Sequence, residues 1–117
     1  MTPKIPLDRF PYPKHPTSRL FGPDLPAGNY VFVQAADGGV WVLLETEGHL
    51  HPRVLGDANP ALGAGGLRMG TGGVVLEVDN FSGTFQFDAE ILLCVLGALR
   101  SQGGYVDSTR EVEFDHN

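Results

Sequence analysis

A single cysteine in 117 residues leaves no internal disulfide and no four-thiolate zinc or iron–sulfur centre within one chain. Cohesion must come from buried apolar surface, and 12.6 kDa with 42% hydrophobic residues suffices for one core and one domain. Long apolar runs are lacking too. None approaches the roughly 20 residues of a membrane-spanning helix, and the opening MTPKIPLDRF has no apolar stretch of signal-peptide length. A soluble, cytoplasmic protein with no membrane partner is expected. Basic residues are scarce, eight Lys and Arg against fourteen Asp and Glu, and a net charge of -6 has the wrong sign for holding a phosphate backbone. Nucleic acid is not an expected partner.

What is abundant is proline at one end and glycine in the middle. Seven of nine prolines fall within the first 26 residues, and each fixes φ and removes a backbone donor. Residues 1–28 therefore read as an extended, Pro-rich arm, and residues 29–117 as an α+β domain. Leu7, Phe10, Tyr12, Leu20, Phe21 and Leu25 give the arm enough apolar surface to lie on its own domain or on a partner.

Residues 29–47 read as a hairpin: Tyr30-Val-Phe-Val-Gln and Val40-Trp-Val-Leu-Leu-Glu are β-branched and aromatic runs about an Asp37-Gly38 turn. A second pair, residues 66–69 and 74–80, flanks Gly70-Thr-Gly-Gly. The crossover between the hairpins, residues 48–63, is too short and too broken by Gly and Pro for a regular helix. Residues 88–102 form the one expected helix, with Asp88 as its cap, Ile91, Leu92, Val95, Leu96 and Leu99 on one face, and Gly103-Gly104 as its stop. Gly97 inside that helix suggests a close neighbour, and Cys94, between core positions, reads as a buried, inert thiol. Arg110-Glu-Val-Glu-Phe alternates like a last edge strand. The expected architecture is one two-layer α+β domain, a mainly antiparallel sheet in the order β-β-β-β-α-β with a helix on one face.

Few residue sets carry chemistry. His49 and His51 at spacing i, i+2 would share one side of a strand, but the carboxylate and third histidine a metal wants are not at matching positions, and His15 and His116 lie near the two termini. No metal or other cofactor is expected. Ser82 in Asn80-Phe-Ser-Gly-Thr is the candidate nucleophile, although Ser82 and Thr84 also suit a turn that satisfies its own backbone. The pairs Asp88 with Glu90 and Glu111 with Glu113 fit a helix start and a solvent-facing strand. The glycine clusters at 63–66 and 70–73 open no helix and lack the Gly-Lys-Ser/Thr of a phosphate loop.

One longer pattern remains: His51-Pro-Arg-Val-Leu-Gly, then Pro60-Ala-Leu-Gly-Ala-Gly-Gly-Leu-Arg-Met, then Gly73-Val-Val-Leu-Glu-Val-Asp-Asn-Phe-Ser-Gly-Thr-Phe-Gln-Phe before the helix. It resembles a module of plant IQ-motif-containing, calmodulin-binding proteins and of bacterial polymorphic-toxin-like and effector proteins. There the run is approximately His-Ser-Ser-Phe, a Gly-containing loop, Ala-Gly-Glu and a strand, Gly and a strand, then Ser-Gly-His-Tyr-x-Pro. The resemblance spans residues 49–104. Pro52-Arg53 stands in place of the two serines, Gly66 in place of the acid, and Thr84-Phe85 in place of His-Tyr. If that polar cluster is a catalytic site in the family, its loss here implies binding without turnover; if it is structural, the resemblance carries no function across.

Two functions follow as expectations. The first is a small acidic protein-interaction domain, toxin-associated or toxin-inhibiting in a bacterial setting, which docks on another protein through the arm or a sheet edge. The second is an enzyme or a nucleotide or small-molecule binder with its site in the 48–56 crossover. In it His49 and His51 would serve as acid or base, Arg53 and Thr84 would hold an anionic ligand, and Ser82 would face them. It requires those five side chains to converge on one pocket.

Overall fold

The computed structural model describes residues 3–45, 51–82 and 85–113. Strand β2 (Gly28–Ala35) and β3 (Val40–Leu44) form the expected hairpin, Tyr30 opposite Leu44 and Gln34 opposite Val40. The β-branched and aromatic run is buried on both its faces from Tyr30 to Val33, so β2 lies at the centre of the molecule. Its other neighbour is β4 (Ala61–Met69), which starts five residues before the expected Gly66. Continuing antiparallel, β4 pairs β5 (Val74–Asp79). A two-residue β1 (Arg19–Leu20) from the arm pairs β3.

The chain then crosses over. Helix α2 (Ile91–Ser101) separates β5 from β6 (Tyr105–Val106) and β7 (Thr109–Arg110), both of which pair parallel to β5. Where the sequence suggests one edge strand over residues 110–114, there are two short strands, each of two residues. A helix that runs back along the sheet delivers the next strand parallel, and an alternating pattern cannot announce that. The sheet order is β1-β3-β2-β4-β5-β6, with β7 also on β5, so the architecture is α+β with a mainly antiparallel sheet. Among the described residues no helix is long and apolar enough to cross a membrane.

Helix α2 lays Ile91, Leu92, Val95 and Leu99 on one sheet face, where a β-carbon on Gly63 would touch Ile91 and Val95. It starts at Ile91 and not at Asp88, with Glu90 at the cap position and no side-chain cap bond there. Cys94 and Gly97 correct the sequence reading: Cys94 is exposed, and a β-carbon at Gly97 would meet nothing within 4 Å. Both stand on the solvent side, where the apolar stripe does not reach.

On the opposite face the crossover holds a single helical turn, α1 (Pro52–Leu55), in a segment too short and too broken for a longer helix. Proline at the first helical position is pre-set for it. His51 has helical backbone angles, φ -50° and ψ -38°, so it does not belong to a strand. The arm is fastened here. Asp57 N–H donates to the Tyr12 carbonyl at 2.8 Å, His15 N–H to the Arg53 carbonyl at 2.8 Å, and Lys4 exchanges backbone bonds with Ala61. Phe21 and Leu25 enter the core, while Leu7, Phe10 and Leu20 remain exposed.

Candidate functional site

Strand pairing gathers polar side chains on the face opposite α2. Alternation along β5 sends Glu77 and Asp79 to one side, and the register sets Glu77 beside Arg68. Arg68 in turn stands opposite Asn29. Gly66, two residues before Arg68 on β4, presents no side chain, and the Asp79 carboxylate oxygens lie 3.0–3.1 Å from where its β-carbon would be. The result is a cavity of about 300 Å³ whose walls include Asn29, Glu45, His51, Glu77, Asp79 and Arg110. Arg68 and the exposed Phe81 border it as well.

Asp79 is the organising group. Its Oδ1 accepts N–H bonds from Gly66 and Phe81, both at 2.8 Å, and its side chain is 13% exposed. Two backbone donors hold the carboxylate in one orientation. The other oxygen faces Arg110, whose Nη2 is 3.4 Å from Oδ2, while Arg110 Nε is 3.6 Å from Glu77 Oε1.

His51, 9% exposed, closes the far wall. Its Nε2 is 2.9 Å from the Gly65 carbonyl oxygen. A carbonyl only accepts, so Nε2 carries the proton and donates. Burial pushes the imidazole below the ordinary histidine value of 6.5, against smaller upward pulls from the Gly65 carbonyl and the Asp79 and Glu45 carboxylates. The ring is therefore neutral near pH 7, and Nδ1 is left with a lone pair that meets no donor among the described residues.

A pH effect follows from that depressed value. Below 6.5 the unfolded chain binds a proton that the folded chain resists, so unfolding free energy is highest above 6.5 and falls as the solution is acidified. His51→Gln keeps an N–H for the Gly65 carbonyl but cannot titrate. Urea midpoints at about pH 7.5 and about pH 5.5 should drop more for the natural chain than for H51Q. Equal drops would mean that His51 protonates as easily folded as unfolded.

Of the five residues singled out in the sequence, the structure describes three, and only His51 reaches the cavity. His49 and Thr84 lie outside the described residues. Arg53 turns to the arm, its Nε donating to the Pro13 carbonyl at 3.3 Å. Ser82 is fully buried, and its Oγ accepts the Phe85 N–H at 3.1 Å, the local turn bond that the sequence also allows. Convergence of Arg53 and Ser82 with His51 is not seen. Sequence reasoning missed Glu45, Glu77, Asp79, Arg68 and Arg110. A signal existed for two of them: Glu77 and Asp79 are polar at i, i+2 in an otherwise apolar strand.

A second, shallower cavity of about 430 Å³ lies between Lys14, Asp37, Trp41 and Leu55. Its aromatic face is already covered, with Lys14 Nζ 3.4 Å from the Trp41 ring centre. Among the described residues no group of three His, Cys, Asp or Glu side chains is placed to hold a metal ion. No protein-family model, curated protein or solved structure matches this chain.

Proposed function

We propose that this protein is a small acidic interaction domain, without catalysis of its own, whose open-face cavity takes an arginine side chain of a partner protein. One observation carries the reading: the chain's own Arg110 guanidinium already rests against Asp79 and Glu77, so the walls accept that group. The remaining acceptors point the same way. Glu45, Asn29 and His51 line the same space, and a guanidinium brings five N–H donors to such acceptor-bearing side chains.

Binding without turnover is supported by the Ser82 hydroxyl, which is engaged by the Phe85 N–H, and by His51 Nε2, which is engaged by the Gly65 carbonyl. The sheet edges end in two-residue strands, which offer little backbone for strand addition. The reading therefore rests on the cavity, with the exposed arm residues Leu7 and Phe10 as a second contact surface. A net charge of -6 suits an arginine-rich partner. In a bacterial cytoplasm such a partner would be a basic, nucleic-acid-directed toxin, in keeping with the resemblance to toxin and effector modules.

An anion or nucleotide site in the same cavity is the competing reading, favoured by Arg68, which has no acidic hydrogen-bond partner among the described residues. Titration separates the two. N-acetyl-arginine amide should move the backbone amide signals of Gly66 and Phe81, the two donors to Asp79, with a Kd on the order of millimolar for so small a probe. The uncharged isostere N-acetyl-citrulline amide and inorganic phosphate should leave them in place. Shifts caused by phosphate instead would sink the interaction reading in favour of the anion site.

A further inference from the structure

We infer that Arg110 is an internal competitor, a guanidinium of the chain's own that occupies part of the cavity and must rotate away before a partner's arginine can seat. The inference rests on the arginine-binding reading above and adds how that site is controlled.

The seat is loose. Contacts of 3.4 and 3.6 Å are longer than the 2.7–2.9 Å of a well-formed guanidinium–carboxylate pair, and the Arg110 side chain is 60% exposed. The backbone that carries it is the reverse. Before it, the Ser108 carbonyl accepts the Val78 N–H at 3.1 Å and the Ser108 hydroxyl donates to the Leu76 carbonyl at 2.7 Å. After it, Val112 exchanges bonds with the buried Asn80 amide at 2.6 and 2.8 Å. A strand held on both sides cannot undock easily, so release is a side-chain rotation, a fast event at exposed positions.

The acceptor stays ready meanwhile. Asp79 Oδ1 is fixed by the Gly66 and Phe81 amides, which keeps Oδ2 facing the cavity whichever guanidinium approaches. Among the described residues Arg110 is ion-paired with Glu77 and Asp79, and Glu45 and His51, which also line the cavity, are left for a ligand that fills more of it. An incoming arginine that fills the whole wall would take Oδ2 and displace the resident one. The measured affinity is then the intrinsic affinity multiplied by the fraction of molecules in which Arg110 has swung out.

The test compares the full-length natural chain, Arg110→Ala and Arg110→Gln, each titrated with N-acetyl-arginine amide and read at the Gly66 and Phe81 amides. Removing a competitor should tighten binding by about three- to tenfold in both variants, and binding seen in the variants alone would support the inference equally. If the natural chain binds and the variants bind no better or more weakly, Arg110 is part of the binding surface and the competitor role is overturned, while the arginine site stands. If none of the three binds, the arginine site falls and the competitor with it.

Discussion

Gly65→Ala should destabilise the fold by about 3 kcal/mol or more, a large share of the stability of a domain this size. The methyl group would fall on the Asp79 carbonyl oxygen and within 2.7 and 2.9 Å of the Asp79 carbonyl carbon and the Asn80 Cα. All three are main-chain atoms of the neighbouring segment, so relief requires β4 and β5 to separate, and no rotamer change suffices. Gly66→Ala is the contrast. The atoms nearest its β-carbon belong to the Asp79 carboxylate, a side chain that can swing aside at the cost of its bonds from the Gly66 and Phe81 N–H groups, about 1 kcal/mol each. Urea unfolding of the two variants measures the difference directly. A Gly65→Ala chain within about 1 kcal/mol of the natural one would mean that the strands do not approach as closely as they stand here. The same close approach accounts for His51, because the carbonyl that receives its Nε2–H belongs to Gly65. His51, Gly65 and the Asp79 backbone meet at one point, two of them residues of the His…Ala-Gly pattern.

The hairpin and helix α2 were legible because each carries a periodic signal. Tyr30 to Gln34 and Val40 to Leu44 are runs of strand formers about an Asp-Gly turn, and Ile91, Leu92, Val95 and Leu99 recur at helical spacing. Periodicity also explains the errors at Cys94 and Gly97. Both sit among apolar residues in the sequence, but the helical projection turns them outward with Leu93, which is exposed although apolar. Strands β6 and β7, two residues each, are too short to show any period. Their parallel placement depends on where α2 sets the chain down. The cavity was the least legible feature because its residues come from six separate segments. Glu45 follows β3, His51 precedes α1, Asp79 ends β5 and Arg110 ends β7, so they meet only through the tertiary arrangement, which no local spacing encodes. Catalytic types drew attention to Ser82 and Arg53 instead, and both have structural partners, the Phe85 amide and the Pro13 carbonyl.

Asn80→Ala should cost about 3–4 kcal/mol. Asn80 is fully buried just past β5, and its amide makes three bonds: Nδ2 to the Phe87 carbonyl at 2.9 Å, Nδ2 to the Val112 carbonyl at 2.8 Å, and Oδ1 from the Val112 N–H at 2.6 Å. One side chain thus joins the entry to α2 with the segment after β7, two regions that no strand pairing connects. Alanine would strand three backbone groups in a setting where water reaches them poorly, each at roughly 1 kcal/mol or more. Asn80→Asp is nearly the same shape and tests the donors alone. Its carboxylate can still accept from Val112, but it faces the carbonyls of Phe87 and Val112 with no proton to give, so it should be at least as destabilising as alanine. Hydrogen exchange would show the loss first at the Val112 amide. An aspartate variant as stable as the natural chain would mean that the two carbonyls do not depend on the Asn80 N–H groups. The outcome reaches the cavity too, because Val112 is two residues from Arg110. Once that anchor is gone, β7 keeps its short pairing with β5 and the Ser108 bonds before it, and the backbone from which the Arg110 guanidinium reaches Asp79 is held on one side instead of two.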